Sequence, residues 1–296
     1  MSSLSESVDP RGDGPFTFTS QAAGSDRLWA PWRMRYVASS EREEGCLFCN
    51  RLAEKDDVQS LVLHRGENAF VIMNRYPYNT GHVMIVPNTH VPSPEDADPK
   101  VMSEMAALRR PVLRAIRRTL SPDGFNLGLN IGTTAGAGIA DHLHEHVVPR
   151  WLGDANFMPI LASTTVMPEL IPVTYAKLRA EFDREFGDGD PITIILLSEN
   201  RENVLVEESG ALPRVAAHEG RPIWRTALQD AHERGAIDAE ILDWSGAHLA
   251  DAEHSAFVMQ AKFPEGGQIA PGNRLVPLTE FLSGPVSTLV RAALRQ

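Results

Sequence analysis

Short apolar and alternating segments predict several β-strands in the first two-thirds of the chain. Branched and aromatic side chains fill these segments, and turn-forming residues separate them, as is typical of strands. Two of the segments end at a proline, which cannot donate to a sheet ladder. We predict strands at residues 61–64, 69–73, 82–87, 125–130 and 141–149.

Two longer segments carry apolar residues at intervals of three and four, the period of an amphipathic helix. The first spans residues 93–120, and Ser93, Pro94 and Glu95 supply a signal for the start of a helix. The second spans residues 167–186. Strands and helices mixed in this way along one chain predict an α+β fold.

A cluster of Gly, Asp and Pro at residues 187–191 marks the clearest domain boundary. Beyond it, strand patterns recur at 192–197, 203–206 and 256–261, and helical patterns at 221–235 and 279–294. The first residues are rich in Ser, Gly, Asp and Pro and lack periodicity. We therefore predict a disordered tail at 1–25, a first domain at 26–187, and a second, smaller α+β domain at 190–296.

The overall charge restricts the partners. The formal net charge over 296 residues is −11, which argues against a broad basic surface for nucleic acid. The sequence contains no apolar run of membrane-spanning length and no N-terminal signal-peptide pattern. Its two cysteines form no disulfide framework. We expect a soluble, cytoplasmic protein that binds neither nucleic acid nor membrane, although a small anionic ligand remains compatible with its charge.

Three histidines recur at every second position in the strand predicted at 141–149. Side chains alternate along a strand, so His142, His144 and His146 would project from one face at steps of about 7 Å. Just upstream, the glycine-rich segment 130–138 lets backbone N–H groups approach an anion. The combination favours chemistry at phosphorus, with one imidazole as the nucleophile. A catalytic zinc held by these histidines is the alternative, but Glu145, the obvious general base, would face the other side.

A metal site is predicted nearer the N-terminus. Cys46 and Cys49 form a C-x-x-C, whose spacing lets two thiolates bind one tetrahedral zinc. Alone, this pair is equally compatible with a redox couple or with two packed thiols. His90 and His142 are available to complete a Cys2His2 site, which would be structural because four protein ligands leave no open position. We expect structural zinc and no organic cofactor.

The segment 142–148 resembles the signature of the histidine-triad (HIT) family. The glycine-rich segment 130–138, the segment 81–87 and the C-x-x-C fall where HIT proteins place matching elements. The run 149–157 is similar to the branch that contains bacterial diadenosine tetraphosphate phosphorylases and related hydrolases. The resemblance covers about residues 27–186, and it implies an antiparallel sheet with helices.

The resemblance also implies roles for individual residues. His144 matches the nucleophile that takes the nucleotidyl group, His146 the residue that contacts phosphate and assists the leaving group, and His82 the residue that backs the cluster. The residues matched to nucleotide binding are Asn74 at the ribose hydroxyls, and Asn130, Gly136, Gly138 and His146 at phosphate. The zinc ligands would be Cys46, Cys49, His90 and His142. Glu145 departs from the hydrophobic residue of many relatives, so its face of the strand is expected to be wetter or paired with an arginine.

These roles imply a phosphorylase or hydrolase of dinucleoside polyphosphates that works through a nucleotidyl-histidine intermediate. Two alternatives remain open, a HIT phosphoramidase acting on nucleoside phosphoramidates and a nucleotide-sensing module without turnover. The resemblance further implies a homodimer that binds a small nucleotide substrate. The C-terminal part weakly resembles a Nudix domain, but its helix at 223–233 lacks the paired glutamates of a Nudix box. We expect that part to have a structural or dimer-covering role.

Overall fold

The computed structural model describes residues 44–154, 169–187, 190–245, 255–264 and 269–282, together with Val290 and Leu294. The predicted disordered tail at 1–25 lies outside the described residues, as does most of the helix predicted at 279–294. Within the described part, every helix is too short or too polar to cross a membrane.

The first part of the chain forms a five-stranded antiparallel sheet. Its order is β1-β2-β3-β5-β4, so β4 is an edge strand and β5 is internal. The strands are β1 (Val62–Arg65), β2 (Ala69–Met73), β3 (Val83–Pro87), β4 (Gly124–Leu129) and β5 (Glu145–Arg150). Two short helices, α1 (Leu47–Ala53) and α2 (Asp57–Ser60), precede it. All five strands were predicted, with boundaries that differ by a few residues.

Two long helices cover one face of this sheet, α3 (Pro99–Leu120) and α4 (Ile171–Phe186). The predicted apolar stripe of α3 is buried in the core. The helix begins at Pro99 rather than at 93, because Asp98 caps it by accepting from the backbone N–H of Lys100 at 2.8 Å. Residues Pro94–Asp96 form a separate 3-10 turn.

The histidine-containing segment is less regular than predicted. Strand β5 begins only at Glu145, where pairing with both β3 and β4 begins, so His142 and His144 lie in an irregular segment ahead of it. The prediction that Pro149 ends the strand was also wrong, since β5 continues to Arg150. The carbonyl of Pro149 accepts a hydrogen bond from the side chain of Asn79. It does so on the side of β5 that faces β3, at a point where the pairing with β3 has already ended. The missing N–H of this proline therefore leaves no ladder bond unmade.

The second part of the chain forms a six-stranded mixed sheet. Its order is β11-β7-β6-β10-β9, with β8 paired to β6, and β10 runs parallel to β6. The elements are β6 (Ile192–Ser198), β7 (Asn203–Glu207), β8 (Arg214–Val215), α5 (Ile223–Glu233), β9 (Ile237–Ser245), β10 (Ala256–Lys262), β11 (Asn273–Pro277) and α6 (Leu278–Phe281). The α+β class is confirmed, but β8, β9 and β11 were missed. Strand β9 was missed because its first half is acidic and largely exposed.

One hydrophobic core runs through both parts of the chain. Helix α4 supplies Tyr175 and Phe182 to it, and the second sheet supplies Ile194, Trp244 and Phe257. Polar contacts add to this packing. The indole N–H of Trp224 in α5 donates to the carbonyl of Thr119 at 3.2 Å, and Arg118 of α3 pairs with the buried Glu181 of α4 at 2.8 Å. The second sheet therefore packs against the α3–α4 layer.

Candidate active site and metal centre

Three histidines that are distant in sequence come together beside β5. His82 lies just before β3, His144 just before β5, and His146 is the second residue of β5. All three rings are buried. The ring centroids of His144 and His146 are 4.9 Å apart, and those of His82 and His146 are 5.1 Å apart. The structure thus brings together the three residues predicted to be catalytic.

A backbone carbonyl determines the tautomer of His144. The Nδ1 atom of His144 lies 2.8 Å from the carbonyl oxygen of His142, which can only accept a hydrogen bond. Nδ1 therefore carries the proton, and Nε2 of a neutral ring holds a lone pair. Burial lowers the pKa of His144, more than the bond to the carbonyl raises it, which keeps the ring neutral. A neutral imidazole with a free lone pair is the form that can attack an electrophile.

A chain of hydrogen bonds determines the opposite tautomer for His146. The backbone N–H of Tyr78 donates to Nδ1 of His82 at 3.1 Å, so in the neutral ring His82 carries its proton on Nε2. That Nε2–H faces Nδ1 of His146 at 3.0 Å. His146 accepts at Nδ1 and therefore carries its proton on Nε2. The two neighbouring rings expose different groups, a lone pair on His144 and an N–H on His146.

A cleft of about 410 Å³ opens beside His146. The exposed face of β4 and the matching face of β5 form its floor. Among the described residues its wall consists of Tyr78, Asn79, Asn126, Leu127, Gly128, Asn130, His146, Val148, Arg150 and Asp154. Gly128 pairs with His146 across the two strands, and a side chain added at Gly128 would meet nothing within 4 Å. The absent side chain at this position keeps the cleft open next to the imidazole.

The residues matched to nucleotide binding have different surroundings. The side-chain amide of Asn130 lies at the cluster, with Nδ2 3.4 Å from Nε2 of His146. A proton on that Nε2 requires the amide to be turned so that its Oδ1 accepts from the ring. Gly136 and Gly138 lie in the exposed loop between β4 and His142, where Gly136 has a φ of +87° and follows a 3-10 turn. Asn74 lies beside His82, with Nδ2 3.3 Å from its Nδ1, while its Oδ1 accepts from the N–H of Tyr76. The roles of these four residues stay predictions.

Glu145 faces away from the histidines, as its place in the alternation predicted. Its carboxylate is 4% exposed and accepts from Nε of Arg109 in α3 at 3.0 Å. The expectation that this face is paired with an arginine is therefore confirmed. Because Glu145 points into the α3 side of the sheet, it does not reach the cleft as a general base.

Cys46, Cys49, His90 and His142 form a cluster with the geometry of a metal site. One ligand atom from each residue lies within 4.8 Å of the other three. Sγ of Cys46 is 3.3 Å from Nδ1 of His142, and Sγ of Cys49 is 3.4 Å from Nδ1 of His90. Two thiolates and two imidazoles at these separations fit tetrahedral zinc. The donor set and the spacing both match the sequence-based expectation.

A contact outside the ligand set orients His142. Its Nε2 lies 2.9 Å from the carbonyl oxygen of Pro87, so Nε2 carries the proton and Nδ1 is left for the metal. Phe48, in the helix that joins the two cysteines, packs against both His142 and His144, with ring centroids 5.3 Å and 5.0 Å apart. The metal cluster and the candidate nucleophile therefore share a packed wall.

Comparisons with known proteins agree with this arrangement. A family model described as the HIT domain matches residues 55–151. The AP-4-A phosphorylase of Mycobacterium tuberculosis is 39% identical over 166 residues, which cover 54% of this chain and 85% of that protein. The chain belongs to the HIT family.

Other HIT relatives match smaller shares of the chain. The asymmetrical bis(5'-nucleosyl)-tetraphosphatase of Schizosaccharomyces pombe is 30% identical over 100 residues, covering 34% of this chain and 54% of the relative. A Zn-bound histidine triad family protein from Mycobacterium smegmatis, known as a crystal structure, is 28% identical. It covers 47% of this chain and 94% of its own, with a TM-score of 0.38.

Sequence patterns did not single out several residues of this HIT site. Tyr78 determines the tautomer of His82 through its backbone, and no side-chain pattern reveals a backbone donor. Arg150 and Asp154 form an ion pair at the far end of the cleft, with Nε of the arginine 2.6 Å from the carboxylate. Their spacing of four residues in the run 149–157 was the available signal. Phe48 lies between the two cysteines, and for this residue its position inside the C-x-x-C was the available signal.

Proposed function

We propose that this HIT protein cleaves dinucleoside polyphosphates by transferring a nucleotidyl group to His144. The observation that carries the proposal is the opposite protonation of two neighbouring rings. His144 presents an unprotonated Nε2 to the reacting phosphorus, and His146 presents Nε2–H to the oxygen that must leave. A nucleophile and a hydrogen-bond donor to the leaving oxygen at adjacent positions both favour displacement at phosphorus.

The first step forms a P–N bond and breaks a P–O bond. The lone pair on Nε2 of His144 attacks the α-phosphorus, and the bridging oxygen leaves with the rest of the polyphosphate. Nε2–H of His146 donates a hydrogen bond to that oxygen and stabilises the negative charge with which the polyphosphate departs. The nucleotidyl group is then held on His144, whose Nδ1–H remains bonded to the carbonyl of His142 and stabilises the imidazolium that forms.

The second step releases the nucleotidyl group. Water or inorganic phosphate attacks the phosphorus, the P–N bond breaks to restore neutral His144, and the proton of the attacking group passes to a phosphate oxygen of the product or to solvent. Phosphate as acceptor is supported by the name of the M. tuberculosis relative, a phosphorylase, and water by that of the S. pombe relative, a tetraphosphatase. We favour phosphate, because the phosphorylase is the relative with the higher identity over the longer match.

The zinc cluster supports the site without taking part in a step. Cys46, Cys49, His90 and His142 would hold the ion, which when bound supplies a rigid cross-link between the N-terminal segment and the histidine-containing segment. The carbonyl of His142, a proposed ligand, is the acceptor that orients His144. Metal binding would thereby reduce the freedom of the nucleophile.

Product analysis tests the function. The purified protein is incubated with diadenosine tetraphosphate, with and without inorganic phosphate. ATP plus ADP formed only with phosphate supports phosphorolysis, and ATP plus AMP supports hydrolysis. His144→Ala should abolish either activity, while His232→Ala, an exposed imidazole on α5, should not. No turnover by the wild-type protein, or full turnover by His144→Ala, would overturn the proposal.

We also propose that two copies of the chain pair through the outer edge of β4. Among the described residues this strand ends the sheet, and Leu127 and Ile131 on and after it are 41% and 47% exposed. Exposed apolar side chains along an unpaired edge favour pairing with a second strand. Leu127→Asp should convert a dimer to a monomer in light scattering. Ile237→Asp, at a similarly exposed residue of the other sheet, should leave the mass unchanged, and a wild-type monomer would contradict the pairing.

A further inference from the structure

The cleft extends well beyond the reacting histidines. His146, Val148 and Arg150 project from the same face of β5 and all lie in the wall of the cleft. Arg150 comes four positions after His146 along the strand, which places it about 13 Å away. On β4, Gly128 lies opposite His146, and Asn126 lies opposite Val148. The cleft therefore continues along two strands, with enough length to hold a polyphosphate and part of a second nucleoside.

The direction of the reaction assigns this space to the leaving group. In a displacement at phosphorus, the attacking and departing atoms lie on opposite sides of the phosphorus. His144 supplies the attacking nitrogen and Nε2–H of His146 the hydrogen bond to the departing oxygen, so the departing group lies on the His146 side. Among the described residues, the wall of the cleft contains His146 but not His144. This assignment rests on the proposed function.

The far end of the cleft is polar but electrically balanced. Nε and Nη2 of Arg150 both donate to Asp154 at 2.6 Å, and Nη1 donates to Oδ1 of Asn126 at 2.8 Å. Asn79 also donates to Asp154, at 2.7 Å. Arg150 holds the pKa of Asp154 well below its ordinary range, so the carboxylate is charged and compensates the guanidinium. A balanced surface gives little attraction for a terminal phosphate, but it offers donors and acceptors to hydroxyl groups and to a base.

We propose that this end of the cleft binds the nucleoside of the departing nucleotide, and that Arg150 and Asn126 select dinucleoside polyphosphates over nucleotides with small leaving groups. Arg150 holds Oδ1 of Asn126, which directs the amide Nδ2 of that residue to the substrate. The planar guanidinium, fixed on two sides by Asp154, presents a face on which a base can stack. Only a long leaving group reaches these residues, so only a substrate that has one gains binding energy from them.

Gly128 provides a direct test, because a side chain there would fill the cleft without disturbing the fold. An added Cβ meets nothing within 4 Å, and a branched residue is compatible with a strand. Gly128→Val should therefore narrow the space beside His146. The control is Glu240→Val, which places the same branched side chain at an exposed residue of β9 in the second sheet, outside the wall that the described residues form.

The experiment compares two substrates that share a transferred group. Diadenosine tetraphosphate releases a nucleotide, whereas adenosine 5′-phosphoramidate releases only ammonia. The measured quantity is the ratio of kcat/KM for the first substrate to kcat/KM for the second. Gly128→Val, Asn126→Ala and Arg150→Gln should each lower this ratio about tenfold, the size of effect expected for one lost polar contact or a blocked subsite.

Two controls separate this effect from general damage. Glu240→Val should leave the ratio within about twofold of the wild-type value. Arg234, like Arg150, bonds an aspartate four residues away at 2.6 Å, but it lies in the second part of the chain. Arg234→Gln should therefore also leave the ratio unchanged. Because Asn126 is exposed, Asn126→Ala keeps the test decisive if Arg150→Gln fails to fold.

The possible outcomes distinguish the two proposals. Equal losses on both substrates, or no loss on either, would overturn the leaving-group subsite while leaving the proposed chemistry in place. Wild-type turnover of the phosphoramidate alone would overturn the proposed function, and the proposed selectivity with it. If the wild-type protein turned over neither substrate, the proposed function would fail and this inference with it.

Discussion

The Nε2 atom of His82 lies 3.0 Å from Nδ1 of His146, in a contact buried from solvent. His82 is fully buried, and its other ring nitrogen accepts from the backbone N–H of Tyr78. The backbone amide of Tyr78 therefore determines which nitrogen of His82 carries the proton, and His82 in turn determines which nitrogen of His146 carries it at the cleft. His82 acts through His146, as a positioning residue.

Replacing His82 should impair departure of the leaving group more than substrate binding. In His82→Leu, the donor that His82 supplies to Nδ1 of His146 is lost, and the ring can adopt the tautomer with its proton on the wrong nitrogen. We expect kcat to fall about 10- to 100-fold with little change in KM. His82→Gln, whose amide can donate from a similar position, should recover part of the loss. Steady-state kinetics on the two variants check this, and equal kcat values for Leu and Gln would contradict a role in hydrogen bonding.

The pair of Arg109 and Glu145 should stabilise the fold only while both partners are present. Arg109→Met leaves the buried carboxylate of Glu145 without its cation, at a cost of about 1–3 kcal/mol in the free energy of unfolding. The double variant Arg109→Met with Glu145→Val removes both charges and should recover most of that loss. Urea unfolding of the two single variants and the double variant measures the coupling. Additive losses would show that the pair does not interact.

Removal of zinc should destabilise the protein. We expect about one zinc ion per chain in the purified protein, measured by elemental analysis. A chelator should lower the Tm of the wild-type protein, because a structural ion binds the folded state in preference to the unfolded one. Cys49→Ser should lose the ion and no longer respond to the chelator, whereas His218→Ala, at an exposed histidine outside the cluster, should behave as wild type. Full zinc content in Cys49→Ser would contradict the assigned ligands.

His64 should make stability depend on pH. Burial lowers the pKa of His64 from 6.5 to about 4, with Arg179 acting in the same direction and Glu104 against it. Between these two values the unfolded chain binds the proton and the folded protein does not, so the free energy of unfolding falls as pH falls from about 6.5 towards 4. The loss is on the order of 3 kcal/mol at most.

A phenylalanine at position 64 isolates this contribution. His64 stacks on Phe186 with ring centroids 3.6 Å apart, and its Nδ1 is buried without a hydrogen-bond partner among the described residues. His64→Phe keeps a ring for stacking and removes the titrating group. Denaturant unfolding at pH 7 and pH 4.5 should show a smaller difference in this variant than in wild type. His232→Phe, on the exposed side of α5, should keep the wild-type difference.

Much of the molecule was predictable from local patterns. The period of apolar residues in α3 and the short apolar runs of β1 to β5 are properties of neighbouring residues, so they could be recognised without a partner. The same holds for the C-x-x-C and for the alternating histidines, whose residue types restrict the chemistry. Strand β9 escaped prediction because it is stabilised by pairing with β10, while the side chains of its first half are largely exposed.

The sequence by itself determined which reactive groups are present, the α+β class, and the candidate ligands of the metal. Only the tertiary structure decided which nitrogen of each histidine carries the proton. The bond between His82 and His146 joins residues 64 positions apart, and the donor that orients it is a backbone amide. The same is true of the cleft, where Arg150 of β5 contacts Asn126 of β4. Hydrogen-bond partners depend on which segments meet in space, and neither the composition nor the periodicity of the chain specifies which segments meet.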